Sequence, residues 1–273
     1  TARDLGYDCV EMMCWPVGKA DRRYAGVTNV DVTDFGPDGI AQVQDVTEKY
    51  GITAIPITAD LSDPSAPGHI AEQLGKQGLQ IDVLVNNAGY GVPGYFLTNS
   101  WDTHQKFLQV MMVAVSELTH ILLPGMVARK YGRILNIASL AGLVPGSPGS
   151  TLYAAVKSFM IQFSQSLHVE VSRSNVHVCA LCPGYTLSEF HDVNGTRVHM
   201  SKLPAFLWMD AKTVAEAGYD AVMAGKPVHV PGSVNKLIAG ISNFLPHDVA
   251  RQLIVQQSKR VRPKSPPTRE LQP

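Results

Sequence analysis

Tyr153 and Lys157 stand four residues apart in Tyr-Ala-Ala-Val-Lys, and Ser139 lies fourteen residues before Tyr153. On a helix, positions i and i+4 share one face, so the phenol and the ammonium can meet in one microenvironment. A free tyrosine ionises near pH ~10 and is a poor acid–base catalyst at neutrality. A cation held beside it favours the phenolate and lowers that value. The hydroxyl could then exchange a proton with an alcohol or carbonyl oxygen, and Ser139 could donate a hydrogen bond to the same oxygen. Taken alone, a Tyr-x-x-x-Lys pair reads more readily as a half-buried tyrosine beside a solvated lysine stem. The order of the surrounding elements has to decide between the two.

From residue 52 onwards the chain alternates strand and helix. The β-branched run 52–58 reads as a strand, 67–77 as a helix, and 81–85 as a short apolar strand. Residues 101–130 read as one long helix with a break or bend at Pro124. A strand at 133–137, a helix at 151–172 and a strand at 176–181 follow. Apolar strands alternating with helices predict a parallel α/β sheet covered on both faces. In such sheets ligands bind beyond the carboxyl ends of the strands. The candidate chemistry falls there: Asp60 after the first run, Asn86-Asn87-Ala88-Gly89 after 81–85, Ser139 after 133–137, and Pro183-Gly184 after 176–181. Each turn alone is ordinary loop chemistry; four in register are not.

Composition narrows the function classes. The chain has 273 residues, 45% of them hydrophobic, and 23 Lys and Arg balance 23 Asp and Glu. A net charge of +0 provides no basic field for nucleic acid, so no nucleic-acid partner is expected. No run of eighteen apolar residues occurs, so no membrane-spanning helix is expected. Nothing at the start reads as a secretory signal, and the first residue, Thr1, reads as the start of a processed or partial product. Cys179 and Cys182 have C-x-x-C spacing but lie in an apolar strand and read as structural thiols, which fits a cytoplasmic setting. The nine histidines form no helical metal pair, so no metal site is expected.

Together the residues resemble the short-chain dehydrogenase/reductase family. The matching pieces are Ala59-Asp60-Leu61-Ser62, Asn86-Asn87-Ala88-Gly89, Ser139, Tyr153-x-x-x-Lys157 and Pro183-Gly184, and the resemblance covers about residues 52–255. The resemblance implies a Rossmann-like doubly wound parallel sheet with helices on both faces, in a single domain. It implies an NADP-dependent oxidoreductase that interconverts a carbonyl and an alcohol, with NAD as the alternative cofactor. Tyr153 would be the general acid or base. Lys157 would lower its pKa and hold the nicotinamide ribose, and Ser139 would polarise the carbonyl. Asp60 and Leu61 would bind the adenine, and Asn87, Ala88 and Gly89 would let the backbone approach the adenosine. Pro183, Gly184 and Thr186 would hold the nicotinamide carboxamide. Family members pair through their two long helices, here 101–130 and 151–172, so a homodimer or homotetramer is expected.

Two departures from the family pattern stand out. No G-x-x-x-G-x-G turn is present, although the family uses one to face the cofactor pyrophosphate. Residues 1–10 resemble the end of a first helix and the beginning of a second strand, which would make 15–37 an insertion. The other reading is that residues 1–50 are a divergent first βαβ unit. The second departure is Met111, which stands where many members carry an asparagine that supports a proton-relay water; a thioether cannot donate a hydrogen bond. After Met12-Met13-Cys14, where the second strand is expected to end, the charges Lys19, Asp21, Arg22 and Arg23 lean towards NADP, whose 2′-phosphate favours basic partners.

Residues 185–212 fall where the family has its substrate lid. Phe190, Phe206, Leu207, Trp208 and Met209 make that segment apolar, which fits a hydrophobic small-molecule carbonyl or alcohol. Residues 234–255 read as an amphipathic helix that covers the sheet, with a membrane surface as the alternative. The domain is expected to span 1–255, and 256–273 to be a disordered tail. A relative that has lost cofactor binding and acts as an interaction module is the alternative to an enzyme.

Overall fold

Strand runs that are apolar on every residue have no solvent side, so the sheet they form must be covered on both faces. The computed structural model describes residues 9–12, 55, 57–92, 94–149, 151–188 and 203–261. In chain order these give β1 (Cys9–Met12), α1 (Ala66–Lys76), β2 (Val83–Asn86), α2 (Trp101–Leu108), a π-helical turn (Gln109–Ala114), α3 (Val115–Arg129) and β3 (Gly132–Ile137). They continue with α4 (Thr151–Val171), β4 (Val176–Leu181), β5 (Tyr185–Leu187), β6 (Trp208–Asp210), α5 (Ala211–Met223), β7 (Val228–His229), α6 (Ser233–Phe244) and α7 (His247–Val261).

The main sheet is parallel throughout, in the order β1-β2-β3-β4-β7. Side chains alternate between its faces. Ile134 and Val178 enter one core with Ile70, Phe107, Met111, Leu118 and Val156 from the helices. Leu135, Cys179 and Leu181 enter another with Val214, Ala221 and Val222 of α5. Helices therefore cover both faces, and the architecture is the Rossmann-like α/β domain that the alternation predicts. Cys179 and Cys182 are buried free thiols, and burial pushes both up to about 12. They are structural, as their place in an apolar strand implies.

Several local expectations are corrected. Of the run 52–58, the described residues 55, 57 and 58 join no ladder; β-branched side chains make a strand only where a neighbour supplies the pairing. Cys9–Met12 is not a second strand set apart from the 81–85 strand. It pairs directly with Val83–Asn86, the place of the first strand in a 3-2-1-4 order. The expected insertion 15–37 lies outside the described residues, as does 189–202 of the lid with Phe190.

Pro124 does not break the long helix, which runs through it to Arg129. Pro124 and His120 both lie on the exposed face, where water can bond the carbonyl that proline leaves free. The irregularity falls instead at Gln109–Ala114, where the helix widens. From Trp101 to Arg129 this helix is long and apolar enough to cross a membrane, with a mean hydropathy of 1.7. Its Phe107, Val110, Met111, Ala114, Leu118 and Met126 are buried inside the domain.

The single helix expected over 234–255 is two helices, α6 and α7, separated at Leu245 and Pro246. Nor does its apolar stripe cover the sheet. Leu237 is 63% and Phe244 92% exposed, whereas Asn235 and Ala239 are buried. α7 runs to Val261, past the expected boundary at 255, and residues 262–273 lie outside the described residues.

A buried polar chain fixes the register of the central strands. Asn86 and Asn136 are cross-strand partners. Asn86 Nδ2 donates to Asn136 Oδ1 at 2.8 Å, and Asn136 Nδ2 donates to Ser164 Oγ at 2.8 Å. Ser164 Oγ in turn donates to the Met160 carbonyl at 2.7 Å. Removing the middle member leaves the Asn86 amide with only a 3.5 Å bond to Thr119 Oγ1 and takes away the donor to Ser164 Oγ, at a cost of ~1–3 kcal/mol. Asn136→Ala is therefore expected to lower the unfolding free energy by an amount in that range, read as a lower urea midpoint with the slope unchanged; a midpoint that does not move would refute the role.

Candidate active site

Ser139 lies two residues beyond β3 and caps a short 3₁₀ turn, Leu140–Gly142; its Oγ accepts from the Ala141 N–H at 3.1 Å. That turn is pressed onto α4. A Cβ on Gly142 would come within 2.6 Å of the Lys157 carbonyl carbon, so only glycine fits there without a shift. Ser158 Oγ donates to the Gly142 carbonyl at 2.8 Å. The helix carrying Tyr153 and Lys157 is thereby bound to the turn carrying Ser139.

The three side chains meet. A side-chain hydrogen bond joins Ser139 to Tyr153. The Lys157 amine lies 5.7 Å from the Tyr153 ring centroid and donates to the Ile137 carbonyl at 2.6 Å. Its other neighbour is Met160 Sδ at 3.7 Å. Lys157 is buried and burial pulls its amine down to about 7; a nearby Cys182 charge would act the other way. Burial pushes the Tyr153 hydroxyl up to about 12, opposed by the Ser139 hydrogen bond, although part of this side chain stays open to solvent. Without a ligand the site therefore keeps the phenol protonated.

The remaining candidates gather in two groups around this trio. The Leu140 N–H donates to the Pro183 carbonyl at 2.8 Å, which joins the loop after β4 to the Ser139 turn. Thr186 follows in β5, and its hydroxyl donates to the Gly184 carbonyl at 3.4 Å. The second group lies beyond β2. Leu61 is buried in the same core as Ala88, and Asp60 sits close enough to Tyr90 to help burial raise that phenol to about 12. Asp60 is exposed, and its Oδ1 accepts from the Ser62 N–H at 2.9 Å. Asn87 and Gly89 complete the turn between them. Met111 is fully buried, with its sulphur 3.0 Å from where a Gly89 Cβ would lie. The position at which an asparagine was expected therefore does face this turn, but with a thioether.

A dinucleotide fits these groups at both ends. The unneutralised Lys157 amine and the 183–186 loop suit the nicotinamide ribose and carboxamide, and Asp60 with the open turn at Gly89 suits the adenosine. Any partner for the pyrophosphate among residues 13–54 lies outside the described residues. Among the described residues, no three His, Cys, Asp or Glu side chains gather as metal ligands.

A cavity of about 20 Å³ adjoins Tyr153, lined among others by Tyr95, Phe96, Asn99, His104 and Leu152. A larger hollow of about 440 Å³, lined by Met112, Val113, Ser116, Glu117, His120 and Phe159, shares no residue with it and lies outside the acid–base site.

Sequence reading missed Asn136, Ser164 and Asn235. A polar residue inside an apolar strand was a signal for Asn136. Nothing local marks Ser164 or Asn235, because their partners are distant in the chain.

A profile of the short chain dehydrogenase family matches residues 24–197. The very-long-chain 3-oxoacyl-CoA reductase of Anas platyrhynchos is 31% identical over 227 residues, covering 80% of this chain and 68% of that protein. Oxidoreductase UcpA of Escherichia coli (strain K12) is 34% identical over 157 residues, or 58% of this chain and 59% of UcpA. Among solved structures, a short-chain dehydrogenase from Sphingobium yanoikuyae in complex with NADPH superimposes with a TM-score of 0.64 at 24% identity, covering 76% of this chain and 82% of that one. The last likeness concerns the fold, whereas the profile and the first relative extend it to the sequence. This chain belongs to the short-chain dehydrogenase/reductase family.

Proposed function

We propose that this chain uses NADP(H) to interconvert a carbonyl and an alcohol on a hydrophobic small molecule. The observation that carries this reading is the assembled trio: Ser139 bonded to Tyr153, with the buried Lys157 amine beside the phenol. NADP rather than NAD is supported by Lys19, Arg22 and Arg23 in the sequence and by the fold's likeness to a dehydrogenase in complex with NADPH. A hydrophobic substrate is supported by the exposed Phe96, Leu97 and Trp101, which lie close in sequence to the cavity beside Tyr153. The relative named for very-long-chain 3-oxoacyl-CoA substrates supports it as well.

When bound, the dinucleotide supplies or accepts the hydride. The protein's part is proton transfer and position. Tyr153, protonated in the free site, gives its proton to the carbonyl oxygen in reduction and takes it back in oxidation. Ser139 donates a hydrogen bond to the same oxygen. Lys157 binds the ribose, and its charge, favoured by a nearby anionic ligand, stabilises the phenolate and lowers the pKa of Tyr153. Met111 cannot donate to a relay water, so the proton path runs without it. We place homodimer formation on the faces of α2, α3 and α4, where Val113 is exposed beside the 440 Å³ hollow. A cytoplasmic location is part of the same proposal.

Titrating the chain with NADPH and following nucleotide fluorescence should give saturable binding below millimolar concentration. No binding at that level would remove the enzymatic reading and leave the interaction module. Tyr153→Phe should abolish reduction of a hydrophobic ketone, a loss of about 10²–10⁴-fold, while the NADPH dissociation constant stays within about twofold; persistent turnover would refute the role of Tyr153.

The ligand-free site also has a pH signature. The folded value of Lys157, about 7, lies below its ordinary 10.5. Between those values the unfolded chain binds more protons, so the stability contributed by this group rises with pH. Tyr153 acts in the opposite sense only above its ordinary 10.0. The thermal midpoint of the unaltered chain relative to Lys157→Met should therefore rise as the pH goes from about 7 to about 9.5. A flat difference would show that the amine is not desolvated.

A further inference from the structure

Asn235 is a buried amide that the acid–base chemistry does not use. It lies in the first turn of α6 and is 4% exposed. Its Nδ2 donates to the Pro231 carbonyl at 2.9 Å and lies 3.5 Å from Met209 Sδ. Its amide group also lies flat against Gly184. A Cβ at Gly184 would meet Asn235 Cγ and Nδ2 at 2.8 Å each, and its Oδ1 closer still. Gly232, at φ 82°, admits the same cluster from the other side; a Cβ there would meet Met209 Sδ at 2.9 Å and Asn235 Nδ2 at 3.4 Å. Two positions without side chains and one buried amide thus close the turn before α6, the strand β6 and the loop after β4 around one point.

That point adjoins Thr186 on two sides. Thr186 bonds the Gly184 carbonyl through its hydroxyl, and in the small parallel sheet its cross-strand partner is Met209. Both of these neighbours touch Asn235. A buried amide left without partners is costly, so the arrangement that satisfies Asn235 is the one in which β6 is seated and the 183–186 loop is held down. Without β6 in place the amide would lose its sulphur contact and Thr186 its cross-strand partner Met209 together.

We infer that Asn235 is a positioning residue: through Gly184 and Met209 it ties the seating of the lid strand to the placement of Thr186, and so to the grip on the nicotinamide end of the dinucleotide. This rests on the NADP(H) reading above. The contacts of Asn235 are to Pro231, Met209, Gly184 and Gly232, so its effect is exerted through them.

The experiment compares two ligands on Asn235→Asp and Asn235→Ala: NADPH, and 2′-phospho-ADP-ribose, which lacks the nicotinamide. Aspartate keeps the shape but removes both amide donors, and alanine removes the packing as well. Either variant that folds can be read. NADPH should bind about tenfold more weakly, while 2′-phospho-ADP-ribose stays within about twofold of the unaltered chain. The KM for a hydrophobic ketone should rise with the NADPH dissociation constant. A merely structural role would weaken both ligands alike, or lower the thermal midpoint with binding unchanged, and either result overturns the inference. If the unaltered chain binds neither ligand, the NADP(H) reading falls and this inference falls with it. If it binds both and the variants do not separate them, only the inference falls.

Discussion

The bond from the Lys157 amine to the Ile137 carbonyl joins the helix that carries Tyr153 and Lys157 to the strand end that carries Ser139. A lysine amine buried this deeply is unfavourable when charged, and a single carbonyl with a distant thioether offsets little of that cost. The amine is held there by packing rather than by charge. Gly142 lets the Ser139 turn lie directly on α4, and Ser158 bonds across the same contact. The core below, with Val156, Met160 and Ile161, fixes which face of α4 looks inward. Among the described residues no carboxylate neutralises this amine, and burial without a counter-charge is what pulls it down to about 7.

The same logic orders the central strands. Asn86 and Asn136 satisfy each other inside a sheet otherwise filled with apolar side chains, and Ser164 carries the chain of bonds into α4 one turn beyond Met160. A slip of one residue in the β2–β3 register would leave both amides unpaired. The register that aligns these strands also brings their carboxyl ends level, and the turns at Asn87–Gly89, Ser139 and Pro183–Gly184 leave from those ends. Met111 adds a local variation. The helix widens at Gln109–Ala114, and the thioether packs under Gly89 where the family commonly places an amide. The floor of the site is apolar there.

Beyond β4, β5 and β6 are the described strands of the segment where the family resemblance expects a lid. β5 and β6 form a small parallel pair of their own, tied to the body by Asn235 and by α5, which starts directly after β6 under an Asp210 cap on Thr213. The exposed Leu237, Ile241 and Phe244 of α6 take no part in that attachment.

The sequence by itself determined the class of fold and the meeting of Tyr153 and Lys157 on one helix face, since both rest on short-range rules. Apolar runs of strand length between helical stretches imply a covered parallel sheet, and a Tyr-x-x-x-Lys on a helix implies a shared face. It also located Ser139, Pro183 and Gly184 by their place after strands. It failed where the deciding partner is remote. The 52–58 run has strand propensity, but its described residues have no neighbour to pair with, and Cys9–Met12 finds its place only through Val83–Asn86. Pro124 looked disruptive until its exposed side of the helix was known, and the stripe on α6 looked like a buried face until Asn235 and Ala239 proved to be the inward positions. Local pattern states what a segment prefers. Only tertiary packing decided which preference was satisfied, because burial, register and the pairing of buried polar groups are properties of two segments at once.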